Sequence, residues 1–256
     1  MPLGFFRKKK EEEKANQKNS ENNKSTPTRI ARSSDMKRAV IKPKRRSVIV
    51  KRRGGATSSK RTQQTKRADF FMKLVLCGDG AVGKTALRER YLGRGFSQSY
   101  LQTIGADFAT TDKDLNIDGK NKSVQYQIWD LAGQNEFQSI RGSYYEGCFG
   151  SLMVFDVTRP ESFNNLPNWI NELWDNSGKG AVPIVLLGNK VDLKDKFPEH
   201  VRDEEIRSFV EKLNEKCRPN NFEVSYLETS ALTGKNVEQA FQMLGVNVVR
   251  WVMSKK

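Results

Sequence analysis

Histidine occurs once in 256 residues, at His200, and cysteine three times, at Cys77, Cys148 and Cys217. One imidazole and an odd set of thiols without metal-ligand spacing leave no zinc cluster to build. Three free, buried thiols in a reducing compartment are the expectation. No apolar run reaches the roughly 18 residues of a membrane-spanning helix. The opening MPLGFFRKKK has no apolar h-region, so no secretory signal is expected. No sequence repeat of solenoid length is visible.

Acidic and apolar residues are both scarce in the first quarter of the chain. Residues 1–68 hold 22 basic and 5 acidic side chains, a net of +17 that exceeds the +15 of the whole chain. The other 188 residues hold 23 basic and 25 acidic, a net of −2. Val, Ile, Leu and Phe number only 9 among residues 1–68, too few to bury a core. All four Trp, all six Tyr and twelve of the fourteen Phe lie beyond residue 68. The composition predicts a basic, disordered tail over 1–68 and one neutral domain of ordinary size over 69–256. Within the tail, Leu3, Phe5 and Phe6 precede a basic run, and RAVIKPKRRSVIVKRR sets two aliphatic runs among basic residues.

At Phe70 the pattern changes to FFMKLVLCGDG, an apolar run ending in glycines, which reads as a buried strand entering a loop. The loop is Gly78-Asp79-Gly80-Ala81-Val82-Gly83-Lys84-Thr85, a full match to G-x-x-x-x-G-K-[ST]. Glycines let backbone N–H groups converge on phosphate oxygens. Lys84 reaches the β- and γ-phosphates, and the Thr85 hydroxyl suits Mg²⁺. ALRERYL follows as a helix whose N-terminus favours an anion. This loop indicates a nucleoside triphosphate without naming the base.

The base is read from VPIVLLGNKVDL, a strand delivering Asn189, Lys190 and Asp192 at its C-terminal end. A carboxylate at Asp192 accepts from the guanine N1–H and exocyclic amine together, a pair adenine lacks. Ser230 and Ala231, in EVSYLETSAL, supply a second guanine contact.

Five segments in this order, GDGAVGKT, the TIG of LQTIGADF, WDLAGQ, GNKVD and ETSA, resemble the Ras superfamily of small GTPases over about Lys73 to Met253. The resemblance is closest to the Rab branch, on Phe108, Trp129 and Tyr144, which match an aromatic triad between the switches. It implies a P-loop G domain of α/β class: a six-stranded, mostly parallel sheet with helices on both faces, with strands near 71–77, 107–117, 122–130, 150–156, 182–188 and 222–228. The IDGKNKS hairpin is expected to be a few residues longer than usual.

The resemblance also implies GTP and GDP as ligands, Mg²⁺, and roles residue by residue. Gln134 and Lys84 carry the catalytic roles, Gln134 by positioning the attacking water. The nucleotide contacts run from Gly78 through Asp79, Gly80, Ala81, Val82, Gly83, Lys84 and Thr85 to Ala86. They resume at Phe96, which stacks on guanine, at Tyr100, which closes over the phosphates, and at Thr103 and Gly133, which sense the γ-phosphate. Asn189, Lys190, Asp192, Ser230, Ala231 and Leu232 complete the base side. The metal set is Thr85, Thr103 and Asp130. Ser97 to Gln102 holds no arginine to act in cis, so slow intrinsic turnover is expected, raised by an activating partner. An exchange factor, a GTPase-activating protein and effectors are implied at the switches.

Two departures follow. The last cysteine is Cys217, so no C-a-a-X prenylation box is present, and Pro2 excludes N-myristoylation of this start. The tail is the alternative device, and three readings of it stand. Residues 1–53 meet an anionic membrane; the tail binds nucleic acid or routes the protein to the nucleus; or it is solvated or docks on an acidic protein. The expected location is cytoplasmic, peripheral on a membrane through the tail. A GTP-dependent scaffold with negligible hydrolysis is the other function class.

Overall fold

The computed structural model describes residues 68–97 and 102–255. Residues 1–67 of the predicted tail, and Tyr100, lie outside the described residues. Among the described residues, six strands form one sheet in the order β2-β3-β1-β4-β5-β6, from β1 (Phe70–Cys77), β2 (Ala106–Ile117), β3 (Lys120–Leu131), β4 (Gly150–Asp156), β5 (Ile184–Asn189) and β6 (Ser225–Glu228). Only β2 and β3 pair antiparallel; β1 pairs parallel with β3 and β4, and β4–β5 and β5–β6 are parallel. The helices are α1 (Lys84–Tyr91), α2 (Gln138–Tyr145), α3 (Pro160–Asn164), α4 (Leu166–Asn176), α5 (Asp203–Cys217) and α6 (Val237–Ser254).

The central strands read as continuous apolar runs because both of their faces are covered. Leu74 and Leu76 of β1 pack on one side with Leu87 and Tyr91 of α1 and Phe241, Leu244 and Val248 of α6. Val75 and Cys77 pack on the other side with Trp169 and Leu173 of α4 and Ile206 and Leu213 of α5. In α6, Val237, Phe241, Leu244, Val248 and Val252 recur at helical spacing; the first four are buried and Val252 partly so, and Phe241 stacks on Tyr91 at 3.8 Å between ring centroids. All three cysteines are free and buried. Burial pushes the Cys77 thiol up to about 12 and those of Cys148 and Cys217 to about 11. No helix among the described residues is long and apolar enough to cross a membrane.

Local contacts set where several elements begin and end. The 107–130 hairpin is long in its strands and short in its turn. Register runs to Ile117 opposite Lys120, leaving Asp118 and Gly119, both at positive φ, as a two-residue turn suited to the strand twist. Strand β6 begins at Ser225 because Asn214 of α5 occupies the backbone of Val224, accepting from its N–H at 2.6 Å and donating to its carbonyl at 3.1 Å. The helical segment SFNNLPNWINELW divides at Asn165 into α3 and α4, with Pro167 in the first turn of α4, where a missing N–H costs nothing.

Candidate functional site

The loop between β1 and α1 closes on its own lysine. Lys84 is 6% exposed, and its Nζ donates to the carbonyls of Gly78 at 2.6 Å and Asp79 at 2.7 Å. Burial brings its ammonium down to about 8, against the opposing pull of Asp130, Cys77 and Asp79. No side chain caps the N-terminus of α1, so its first-turn N–H groups are left facing the loop. Ala81 sits at φ 63, a left-handed conformation uncommon for a residue with a Cβ.

Three oxygen-bearing side chains from separate segments meet beside this lysine. Thr85 Oγ1 donates to Asp130 Oδ2 at 2.5 Å and lies 3.0 Å from Thr103 Oγ1. Thr103 Oγ1 also reaches Asp130 Oδ2 at 3.5 Å. Asp130 Oδ1 is buried with no hydrogen bond, and burial raises its carboxyl pKa against the Thr85 hydrogen bond and the charge of Lys84. Two hydroxyls and a carboxylate with one oxygen unpartnered form a hard-oxygen set that fits Mg²⁺.

The segment after β3 lies against the loop. A Cβ on Gly133 would overlap the Asp79–Gly80 backbone, so no other residue allows this approach. Gln134 follows, its Oε1 buried and without a partner, its backbone carbonyl held by Arg141 Nη1 at 2.7 Å. Arg141 in turn makes a two-point contact with Glu172, at 2.8 and 3.0 Å.

The opposite end is internally bonded. Asn189 Nδ2 donates to the Val82 carbonyl at 2.8 Å, while its Oδ1 accepts from Thr229 Oγ1 and the Ala231 N–H, both at 3.3 Å. Ser230 Oγ donates to Asp192 Oδ1. Arg90 of α1 donates to the carbonyls of Ala231, at 3.0 Å, and Leu232. Lys190 Nζ meets Asp156 Oδ2 at 2.7 Å.

A cavity of about 430 Å³ is lined by the phosphate-type loop, Thr103, the segment after β3 and Lys190. Of the sequence-predicted residues, Gly80, Ala81, Gly83, Lys84, Thr85, Ala86, Phe96, Thr103, Gly133, Gln134 and Lys190 line it. Gly78, Val82, Asp130, Asn189, Asp192, Ser230, Ala231 and Leu232 do not line it, and Val82 and Asp130 are fully buried. Asp79 turns away: its carboxylate accepts from Asn165 Nδ2 at 2.8 Å and Trp169 Nε1 at 2.7 Å, which ties the loop to α4. Glu89, Arg94, Gly95, Ser97 and Leu131 line the cavity without having been singled out. Glu89 carried a signal, lying one helical turn after Thr85, and Arg94, Gly95 and Ser97 flank Phe96. Outside the cavity, the predicted triad assembles: Phe108 stacks on Trp129 at 5.1 Å, and Tyr144 lies 5.9 Å beyond.

A doubly wound sheet with a phosphate-type loop, a threonine–aspartate oxygen cluster and an asparagine-anchored second loop defines a P-loop guanine-nucleotide fold. The family model described as "Ras family" matches residues 73–250, and the chain belongs to that family, as a Rab-like small GTPase that hydrolyses GTP. It is similar to the Ras-related protein RABA2a of Arabidopsis thaliana, 40% identical over 188 residues, covering 73% of this chain and 79% of the relative. The Ras-related protein RABA1e of the same plant is 41% identical over 191 residues, with 73% and 79% covered. The Ras-related protein Rab-11C of Dictyostelium discoideum is 37% identical over 193 residues, with 75% and 79% covered.

Proposed function

We propose that the protein is a GTP-operated switch in membrane trafficking that binds GTP with Mg²⁺ and, unaided, converts it slowly to GDP and phosphate. The observation that carries this reading is the meeting of Thr85, Thr103 and Asp130 within 2.5–3.5 Å beside Lys84 at one end of the cavity. Thr103 belongs to a loop, so a ligand at this cluster holds that loop in one place and its loss lets the loop go.

Each group then has a task. Lys84 offsets the charge of the transferred phosphoryl group. Gln134 Oε1 accepts a hydrogen bond from the attacking water and aims it. Asn189 joins the two loops around the base, and Asp192 reads guanine. Thr85, Thr103 and Asp130 would hold Mg²⁺, which supplies charge neutralisation at the phosphate oxygens. Of the arginines, Arg94 lines the cavity but faces Glu89 at 3.1 Å, which supports slow unaided turnover. Ile104, Phe108 and Ile140 are exposed around Thr103 and Gln134, a surface suited to effectors and regulators.

Single-turnover hydrolysis of bound GTP tests the reading. Gln134→Leu is expected to leave GTP binding within about twofold and to slow hydrolysis by ~10²-fold. Equal rates in the two proteins would remove Gln134 from the mechanism.

For the tail, outside the described residues, we carry the membrane reading. A polybasic segment gains about 1 kcal/mol per Lys or Arg close to an anionic surface. Co-sedimentation with anionic liposomes should retain the full chain and lose a chain lacking residues 1–68; equal behaviour would exclude it.

A further inference from the structure

Arg159 sits between β4 and α3, 79 residues from the phosphate loop in sequence, yet its Nη2 donates to the carbonyl of Gly80 at 2.8 Å. It is held from behind. Asp156, at the end of β4 and 2% exposed, places Oδ2 3.5 Å from Arg159 Nε and 2.7 Å from Lys190 Nζ. The other oxygen, Oδ1, accepts from the Thr158 N–H at 3.0 Å and hydroxyl at 2.7 Å. Arg159 Nε is buried and has only the ion pair with Asp156, without a hydrogen bond, so the hydrogen bond to Gly80 is what fixes the outer end of the guanidinium.

A peptide group is planar and trans, so its carbonyl and N–H point in opposite directions. Gly80 and Ala81 line the cavity and Arg159 does not. A carbonyl gripped from outside therefore turns the N–H of Ala81 inward, where an anion would lie. The same peptide precedes the left-handed Ala81, φ 63, a conformation that a residue with a Cβ leaves readily unless something holds it.

We propose that Arg159, anchored by Asp156, is a positioning residue of the phosphate loop. It holds the Gly80–Ala81 peptide so that the Ala81 N–H faces the nucleotide phosphates. Because Asp156 also carries Lys190, the base loop and the phosphate loop share one buried counter-ion. The inference rests on the nucleotide-site reading above and adds to it a residue outside the cavity.

Dissociation of a fluorescent GDP analogue from the full chain is the test, in wild type, Arg159→Gln, Arg159→Lys and Ala81→Gly, and in Ala81→Gly combined with each Arg159 variant. Arg159→Gln removes a charged donor and should speed release by about 10-fold. Arg159→Lys keeps a charged donor and should stay within about threefold of wild type. Glycine enters the left-handed region without strain, so in the Ala81→Gly background the Arg159→Gln effect should shrink to about threefold or less. Release unchanged in Arg159→Gln, or accelerated equally in both backgrounds, would overturn the proposal. Should Arg159→Gln not fold, the Arg159→Lys pair gives the same comparison: a smaller effect in the Ala81→Gly background supports it and an equal effect rejects it. A wild type that fails to retain the analogue would overturn the nucleotide reading itself.

Discussion

The two sides of the candidate site, phosphate and base on the proposed reading, are built on opposite plans. At the base end, Asn189 uses both its amide groups inside the protein, and Asp192 already accepts from Ser230. At the phosphate end, Asp130 Oδ1 and Gln134 Oε1 are buried without partners, and Ala81 is held in an unfavoured conformation. An unpartnered buried polar atom costs about 1–3 kcal/mol, a cost that a bound ligand would relieve. If it reads the base as proposed, the base end is a fixed gauge that can measure without moving. The phosphate end is unfinished, and its order depends on what it holds. On the proposed reading, recognition and switching would be separated by rigidity.

Four measurements bear on that contrast. The largest effect is expected at the phosphate end. Lys84→Ala removes a buried cation with two hydrogen bonds, each worth about 1.5–3 kcal/mol to a charged group, so GDP affinity should fall ~10²–10⁴-fold. Equilibrium titration should show the same loss for inosine and guanosine diphosphates; a base-dependent loss would blur the division between the ends. Next is Asp192→Asn, which exchanges an acceptor for a donor at the base. Competition binding should show guanine nucleotides weakened by about 100-fold and xanthine nucleotides gaining, with hydrolysis of whatever is bound little changed.

A smaller effect follows from pH. Lys84 is held down to about 8 by burial, and phosphates would raise its pKa on binding. Below about 8 it is protonated with or without nucleotide, so affinity is flat. Above about 8 binding must take up a proton, and affinity should fall by up to about 10-fold per pH unit. Calorimetry in buffers of different ionisation heat should register that uptake at pH 9 and none at pH 7. Uptake that persists in Asp192→Asn and vanishes in Lys84→Ala would assign it to the phosphate end. The smallest change is expected from Arg90→Ala, which frees the Ala231 and Leu232 carbonyls but leaves Asn189 in place; GDP affinity should drop by about 1 kcal/mol or less. A loss of 100-fold would show that the base end is less self-supporting than its hydrogen bonds imply.

What could be read in advance divides along physical lines. Strands β4 and β5 were legible because burial on both faces writes an unbroken apolar run, and α6 because one buried face writes a helical stripe. The phosphate-type loop was legible because its pattern fixes four residue types within eight consecutive positions. The start of β6 was hidden because the group that replaces its ladder, Asn214, comes from a helix. The turn of Asp79 toward Trp169, the Arg141 hold on Gln134 and the Arg159 hold on Gly80 join segments 7 to 90 residues apart. An arginine one side chain away from the ligand leaves no local spacing to recognise.

The Asn214 amide has a consequence at the rim of the sheet. By occupying the backbone of Val224 it stops β6 at four residues, so that border offers a visiting chain little to pair with. The other border is β2, twelve residues long and, among the described residues, bonded on one side only, to β3. A partner that docks by adding a strand finds its long berth there. That berth opens three residues after Thr103, so a docked strand and a bound phosphate would tug on the same stretch of chain, and each would feel whether the other is present.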